Sequence, residues 1–216
     1  MVEIRKGAQC MIPDEMLKKA RKNLLLRSRT ANGIVDTSIN RDKAGILMIQ
    51  SGDDAAKTAS ENFDDAIRYA WEERDAVLES PTDLRRLIES IAAKINKGTL
   101  KDGYLIRTLD TDRRSYVRCF ALAGYMEDFY NTLFCKLAAC PGNPVEEAAY
   151  TEYGIDIEGH FFGDGCGKSS MAAASWVLFR RGHDLPEYRG GRSAFYAAVA
   201  GFDEFYDFYK TLFTDE

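Results

Sequence analysis

The chain lacks any long hydrophobic run. Its longest apolar stretches, AGILMI and MAAASWVLF, fall far short of the roughly 20 residues that cross a bilayer, so a membrane protein is not expected. It also lacks a basic excess: 29 Lys and Arg stand against 34 Asp and Glu, a formal net charge of -5. No overall field draws such a chain to nucleic acid or to an anionic membrane surface. Cysteine is sparse and odd in number, at Cys10, Cys119, Cys135, Cys140 and Cys166. With no CxxC pair and no Cys/His ladder, zinc is not expected, and a scattered odd set fits reduced thiols better than a disulfide framework. The N-terminal MVEIRKGAQC has no apolar signal core. The expected location is the cytoplasm. Histidine is scarce as well, with two in 216 residues, and no internal repeat or low-complexity tract is present.

What remains is an ordinary globular composition, 45% hydrophobic and 29% charged, long enough for one well-buried domain. Its punctuation is mostly helical, so the expected fold is all-α with one small β-hairpin. IPDEMLKKARKNLLLRSRTANG opens on Pro13 with acids in its first turn and closes on basic residues and Asn32-Gly33. Ala66, Ile67, Ala70, Trp71 and Val77 recur at helical spacing in the next segment. Leu84, Leu87, Ile88, Ile91 and Ile95 form one stripe, stopped at Gly98. Asn143 reads as an N-cap, followed by Pro144 at the first helical position and two glutamates. That helical pattern runs toward His160. KSSMAAASWVLFRRG is a further helix stopped by Gly182. The last helix places Phe195, Val199, Phe202, Tyr206 and Phe213 on an aromatic face that covers either the core or a second copy of the chain. Only GYLIRTLDTDRRSYVRCF reads as β, a hairpin over about 104–119 turning at Asp110–Arg113.

The stretch GHFFGDGCGK, residues 159–168, combines one of the two histidines with an acid, glycines and a terminal lysine. A P-loop would use its Gly-Lys-Ser, but the required first glycine falls on Phe162 and the preceding segment is helical rather than a strand. A plain helix-to-helix turn accounts for the glycines and leaves His160 and Lys168 unexplained. The third reading rests on His160, Phe162, Asp164, Gly165 and Gly167 in order, with a cation at Lys168. These residues resemble the signature loop of the Fic (Fido) family, H-x-F-x-[D/E]-G-N-G-R-x-x-R. The order of elements agrees over roughly residues 50–213.

The resemblance implies transfer of AMP from ATP to a Tyr, Thr or Ser hydroxyl of a target protein. His160 would be the general base and Asp164 the Mg²⁺ ligand. Phe162, Gly163, Gly165, Cys166, Gly167 and Lys168 would form the nucleotide-binding part of the loop: the glycines bring backbone N–H groups toward phosphate at a helix start, and Phe162 is read chiefly as an anchor in the core. The hairpin resembles the family's flap, which pairs with the target peptide. Arg107, Arg113, Arg114 and Arg118 read either as a face for an acidic target or as ordinary solvated arginines. By the same resemblance residues 1–50 are an N-terminal helical extension, 51–80 an inhibitory-type helix region and 81–216 the core. Glu61-Asn62, ending KTASEN, partly match the family's inhibitory motif and are the candidate regulatory residues.

The loop departs from the family pattern at Cys166, which stands in place of asparagine, at Lys168 and Met171, which replace two arginines, and at Gly159, where the family more often has an apolar residue. Cys166 and Met171 give up hydrogen-bonding groups, and lysine lacks arginine's bidentate fork. Three readings therefore stay open: a protein adenylyltransferase, an impaired homologue that binds nucleotide or a partner without turnover, and a related nucleotidyl or phosphoryl transferase with another cosubstrate.

Overall fold

The computed structural model describes residues 11–27, 53–110, 116–139, 141–188 and 201–213. Among these residues lie seven α-helices: α1 (Asp14–Arg27), α2 (Asp53–Glu72), α3 (Pro81–Ile95), α4 (Cys119–Ala138), α5 (Pro144–Glu152), α6 (Cys166–Arg180) and α7 (Phe202–Thr211). The expected all-α class holds. No described helix is long and apolar enough to cross a membrane.

The run MAAASWVLF makes α6 the axis of the fold. Every residue from Ser169 to Phe179 is buried, as expected of a helix apolar on all sides. Its small side chains, Ala172, Ala173 and Ala174, let neighbouring helices approach closely, and α5, α2 and α3 all pack against it. α4 lies on α3, α7 on α5 and α1 on α2. The α3 stripe of Leu84, Leu87, Ile88, Ile91 and Ile95 is buried throughout, each side chain worth about 2 kcal/mol of transfer free energy. Local chemistry fixes the helix ends. Ser80 accepts the Asp83 N–H ahead of Pro81, and Asn143 accepts the Glu146 N–H at 3.1 Å ahead of Pro144.

Three expectations change. Val77 lies beyond the end of α2 and is exposed, because α2 stops at Glu72 and the chain there runs as a connection. In α7 the buried positions are Phe205 and Tyr209, with Leu212 just past its end; Phe202, Tyr206 and Phe213 only flank the core. Phe195 and Val199 lie outside the described residues. α5 does not continue as an α-helix to His160 but passes into a π-helical segment, Tyr153–Glu158.

The expected hairpin also differs. Its tip, 111–115, lies outside the described residues, and the described arms bond through their backbone to residues 158–163. Ile106 bridges antiparallel to Phe162, with Arg107 N–H donating to Phe161 O at 2.8 Å and Gly163 N–H to Leu105 O at 2.9 Å. Val117 N–H donates to Glu158 O at 3.0 Å. The β-forming residues thus find a buried loop segment as their partner. Ile106 and Val117 are half-buried against the core there.

Candidate active site

The π-helical segment sets the entry to the loop. Its wide turn ends with Gly159 N–H donating to Gly154 O at 2.9 Å, the five-residue reach of a π-turn, which often marks functional sites. A Cβ on Gly159 would stand 2.2 Å from the Phe161 ring and 2.6 Å from Gly154 O. The apolar side chain usual at this point therefore has no room here, and the glycine answers to the neighbouring Phe161.

His160 follows with φ +48°, the only described non-glycine residue at positive φ. That conformation costs of order 1 kcal/mol or more and persists only where its surroundings enforce it. The enforcement is visible. Phe161 and Phe162 are fully buried on one side. On the other, Arg107 is buried and donates from Nε to His160 O at 2.8 Å and from Nη2 to Gly159 O at 3.2 Å. The same guanidinium reaches the Leu109 and Val117 carbonyls, so it ties both arms of the 105–118 segment to the loop. Arg107 is therefore a structural clamp and not part of a target-facing surface. Arg118 is exposed and pairs with Asp110 at 3.6 Å, while Arg113 and Arg114 lie outside the described residues.

The His160 ring keeps 15% of its side-chain surface exposed and stacks on Tyr116, with centroids 4.3 Å apart and planes 13° from parallel. Its Nδ1 lies 3.3 Å from the backbone oxygen of Asp156. A carbonyl oxygen only accepts, so Nδ1 carries the proton in the neutral ring and Nε2 keeps its lone pair.

Behind the histidine lies a charged network that the sequence did not reveal. Arg27 of α1 is buried, pairing with Glu152 and, at 2.9 Å, with Asp156 Oδ2. The Tyr188 hydroxyl donates to Glu152 at 2.8 Å. Burial raises the Glu152 carboxyl above its ordinary value, against the pull of Arg27 and of the Tyr188 bond. It also pushes the Tyr188 and Tyr209 hydroxyls well up, aided by the Glu152 charge. Asp156 thus has one oxygen on Arg27 while its backbone orients His160. A single arginine at the end of α1 gives no periodic signal, and only the fold joins it to residues more than 120 positions away.

At the far end of the loop, Gly165 takes φ +64° as the residue before α6. A Cβ there would meet Ile95 Cγ2 at 2.9 Å. Asn96, at the end of α3, donates to Asp164 O at 3.2 Å and holds the turn. The residue ahead of α6 is Gly165, which has no side chain to cap the helix, so the positive end of the helix dipole lies at this end of the loop. Asp164 and Lys168 are half-buried there.

Three of the expected binding residues are engaged within the protein. The Phe162 ring is fully buried, as an anchor of the loop in the core. The Gly163 amide is already given to Leu105 O. Cys166 turns inward, its sulfur 3.2 Å from both the N and the O of Phe162, which braces the turn from inside. Met171, where the family has its second arginine, is buried facing Ala20, Phe63 and Glu152 around a small cavity. Glu61 sits on the solvent side of α2, paired with Lys57 at 3.9 Å. Asn62 is buried and donates to the Ile95 and Lys97 carbonyls at 3.1 and 2.7 Å, closing the end of α3.

No protein-family model matches the chain, and no curated protein matches it significantly. Solved structures do. One is a Fic domain containing signaling protein from Bacteroides thetaiotaomicron VPI-5482, with TM-score 0.57 and 16% identity over 94% of this chain and 87% of that one. Another is a fragment of Fic-1 from C. elegans, with TM-score 0.59 and 15% identity over 96% of this chain. The chain spans 64% of that fragment. At these identities the likeness shows the fold: the chain has a Fic-like fold.

Proposed function

We propose that this chain is a protein adenylyltransferase, moving AMP from ATP to a hydroxyl side chain of a target protein. The observation that carries the reading is the orientation of His160: Nδ1 faces a fixed carbonyl and Tyr116 holds the ring plane, so Nε2 is the basic nitrogen of the neutral ring. The resemblance of the loop and the Fic-like fold of the neighbours supply the class of reaction.

In the proposed step the target hydroxyl oxygen bonds to the α-phosphorus, and its proton passes to His160 Nε2. The bond from that phosphorus to the β-bridging oxygen breaks, and pyrophosphate leaves. The start of α6 would offer a favourable dipole to the phosphates, and Lys168 would add a point charge at the same place. The donor set fits Mg²⁺, because Asp164 brings a hard carboxylate oxygen beside an anion-favouring helix start. Asp164 would hold the ion, and bound Mg²⁺ would neutralise the triphosphate charge.

Cys166 and Met171 do not contradict this reading. Both side chains are buried, Cys166 as a brace of the loop and Met171 as part of the core, so the reading asks neither to contact the nucleotide. The test is incubation of the purified chain and a cell extract with labelled ATP and Mg²⁺. Protein-bound label is expected from the native chain and at least ~10²-fold less from His160→Ala, the range for losing a general base. Equal labelling by both would refute the proposal.

A further inference from the structure

The sequence has no zinc-ligand ladder, yet the fold assembles three metal-binding donors from well-spaced residues. Asp156, His160 and Cys166 bring a carboxylate oxygen, a ring nitrogen and a sulfur within 4.8 Å of one another. A tetrahedral zinc site, with ligand bonds near 2.0–2.3 Å, needs its donors roughly 3.3–3.8 Å apart, so small side-chain rotations close the gap. The Asp156 Oδ1 to His160 Nδ1 distance is already 3.8 Å.

We infer that Asp156, His160 and Cys166 form an inhibitory site for a thiophilic divalent cation such as zinc, with solvent as the fourth ligand. The surroundings suit the three donors. The Cys166 sulfur accepts the Phe162 N–H at 3.2 Å and stands at the first position of α6, where the helix dipole favours negative charge on a thiolate. Arg27 holds the other Asp156 oxygen at 2.9 Å and so fixes the carboxylate, as outer partners of metal ligands do. Its positive charge is met by the buried Glu152, so it does not stand uncompensated beside the ion. The mixed donor set of one sulfur, one nitrogen and one oxygen selects zinc-like ions over magnesium, which takes oxygen ligands.

The consequence for the site follows from the ring. A metal on Nδ1 takes that nitrogen's lone pair, so the one remaining ring proton of the neutral imidazole must sit on Nε2. Nε2 then has no lone pair for a substrate proton, and the base is switched off. Binding also releases the thiol proton of Cys166 to solvent. This regulatory part rests on the transferase reading; the metal site itself does not.

The full chain is titrated with Co²⁺ as a spectroscopic substitute. A near-ultraviolet sulfur-to-cobalt charge-transfer band with visible tetrahedral bands is expected, displaced by equimolar Zn²⁺. Cys166→Ser should abolish the charge-transfer band, and His160→Gln should weaken apparent affinity at least tenfold. X-ray absorption of the zinc-loaded native chain should show one sulfur among nitrogen and oxygen ligands, a readout that needs no variant to fold. Absence of the band, its survival in Cys166→Ser, or a zinc shell without sulfur would overturn the site. Where labelled-ATP transfer is measurable, stoichiometric zinc should suppress it in the native chain and a chelator restore it; undiminished transfer by zinc-loaded protein would overturn the regulatory role. A chain that binds cobalt through Cys166 and transfers no AMP would refute the transferase reading and leave the metal site standing.

Discussion

At its histidine end the 159–168 loop is held by buried charged residues far away in the chain, and at its lysine end by the neutral Asn96 amide and a glycine turn. His160 keeps an unfavourable φ because Arg107 grips the carbonyls on either side of its Cα and because Arg27 positions the Asp156 that orients its ring. Gly165, by contrast, reaches positive φ without penalty and starts α6 directly. The difference separates what is chemically demanding from what is merely a turn. Strain and buried charge gather at the histidine, where the proposed reaction would move a proton, while the lysine end relies on a glycine turn and a helix start.

Removing the remote support should have the largest effect. Arg27→Ala leaves Glu152 and Asp156 buried without their cation, which should cost about 3–5 kcal/mol of unfolding free energy, read from urea denaturation. A loss below about 1 kcal/mol would mean that water or another cation replaces the guanidinium, and the contrast between the two ends would fail. Altering the lysine end should cost less. Gly165→Ala puts a Cβ on a left-handed residue and against Ile95, for about 1–2 kcal/mol, with the His160–Tyr116 stack unaffected. A spectroscopic change at His160 in that variant would show that the two ends are not independent.

The smallest effect concerns pH. Burial raises the Glu152 carboxyl in the folded chain, so the folded state holds its proton to higher pH than the unfolded state. Its contribution to stability is therefore full below the ordinary carboxylate range and is lost as pH rises through the raised value. Glu152→Gln should flatten the dependence in that window, as shown by urea midpoints of both proteins across it. An identical slope in both would assign the charge cost to another group.

The same contrast marks what was legible in the sequence. The α3 stripe, the Asn143-Pro144 helix start and the glycine before α6 announce themselves, because each depends on side chains within a few positions. The loop resemblance could be read for the same reason. The π-helical segment could not, since nothing in YGIDIE distinguishes a five-residue turn from a four-residue one. Arg107 looked like one of four surface arginines in a hairpin, and burial among backbone carbonyls is a tertiary fact. The β-formers of 104–110 and 116–118 make an isolated bridge and backbone bonds to 158–163, not the strand pair that their pattern suggests. Cys166 and Gly159 looked like departures from a ligand-binding pattern; packing against Phe162 and Phe161 explains both.

The central claim concerns a single proton, and two-dimensional ¹⁵N–¹H NMR of the imidazole rings reads it directly. With His160 and His183 as the only histidines, assignment by a His183→Gln variant is direct. The account predicts that neutral His160 carries its proton on Nδ1, with the Nε2 resonance that of an unprotonated nitrogen. A ring protonated on Nε2 in the metal-free protein would contradict it.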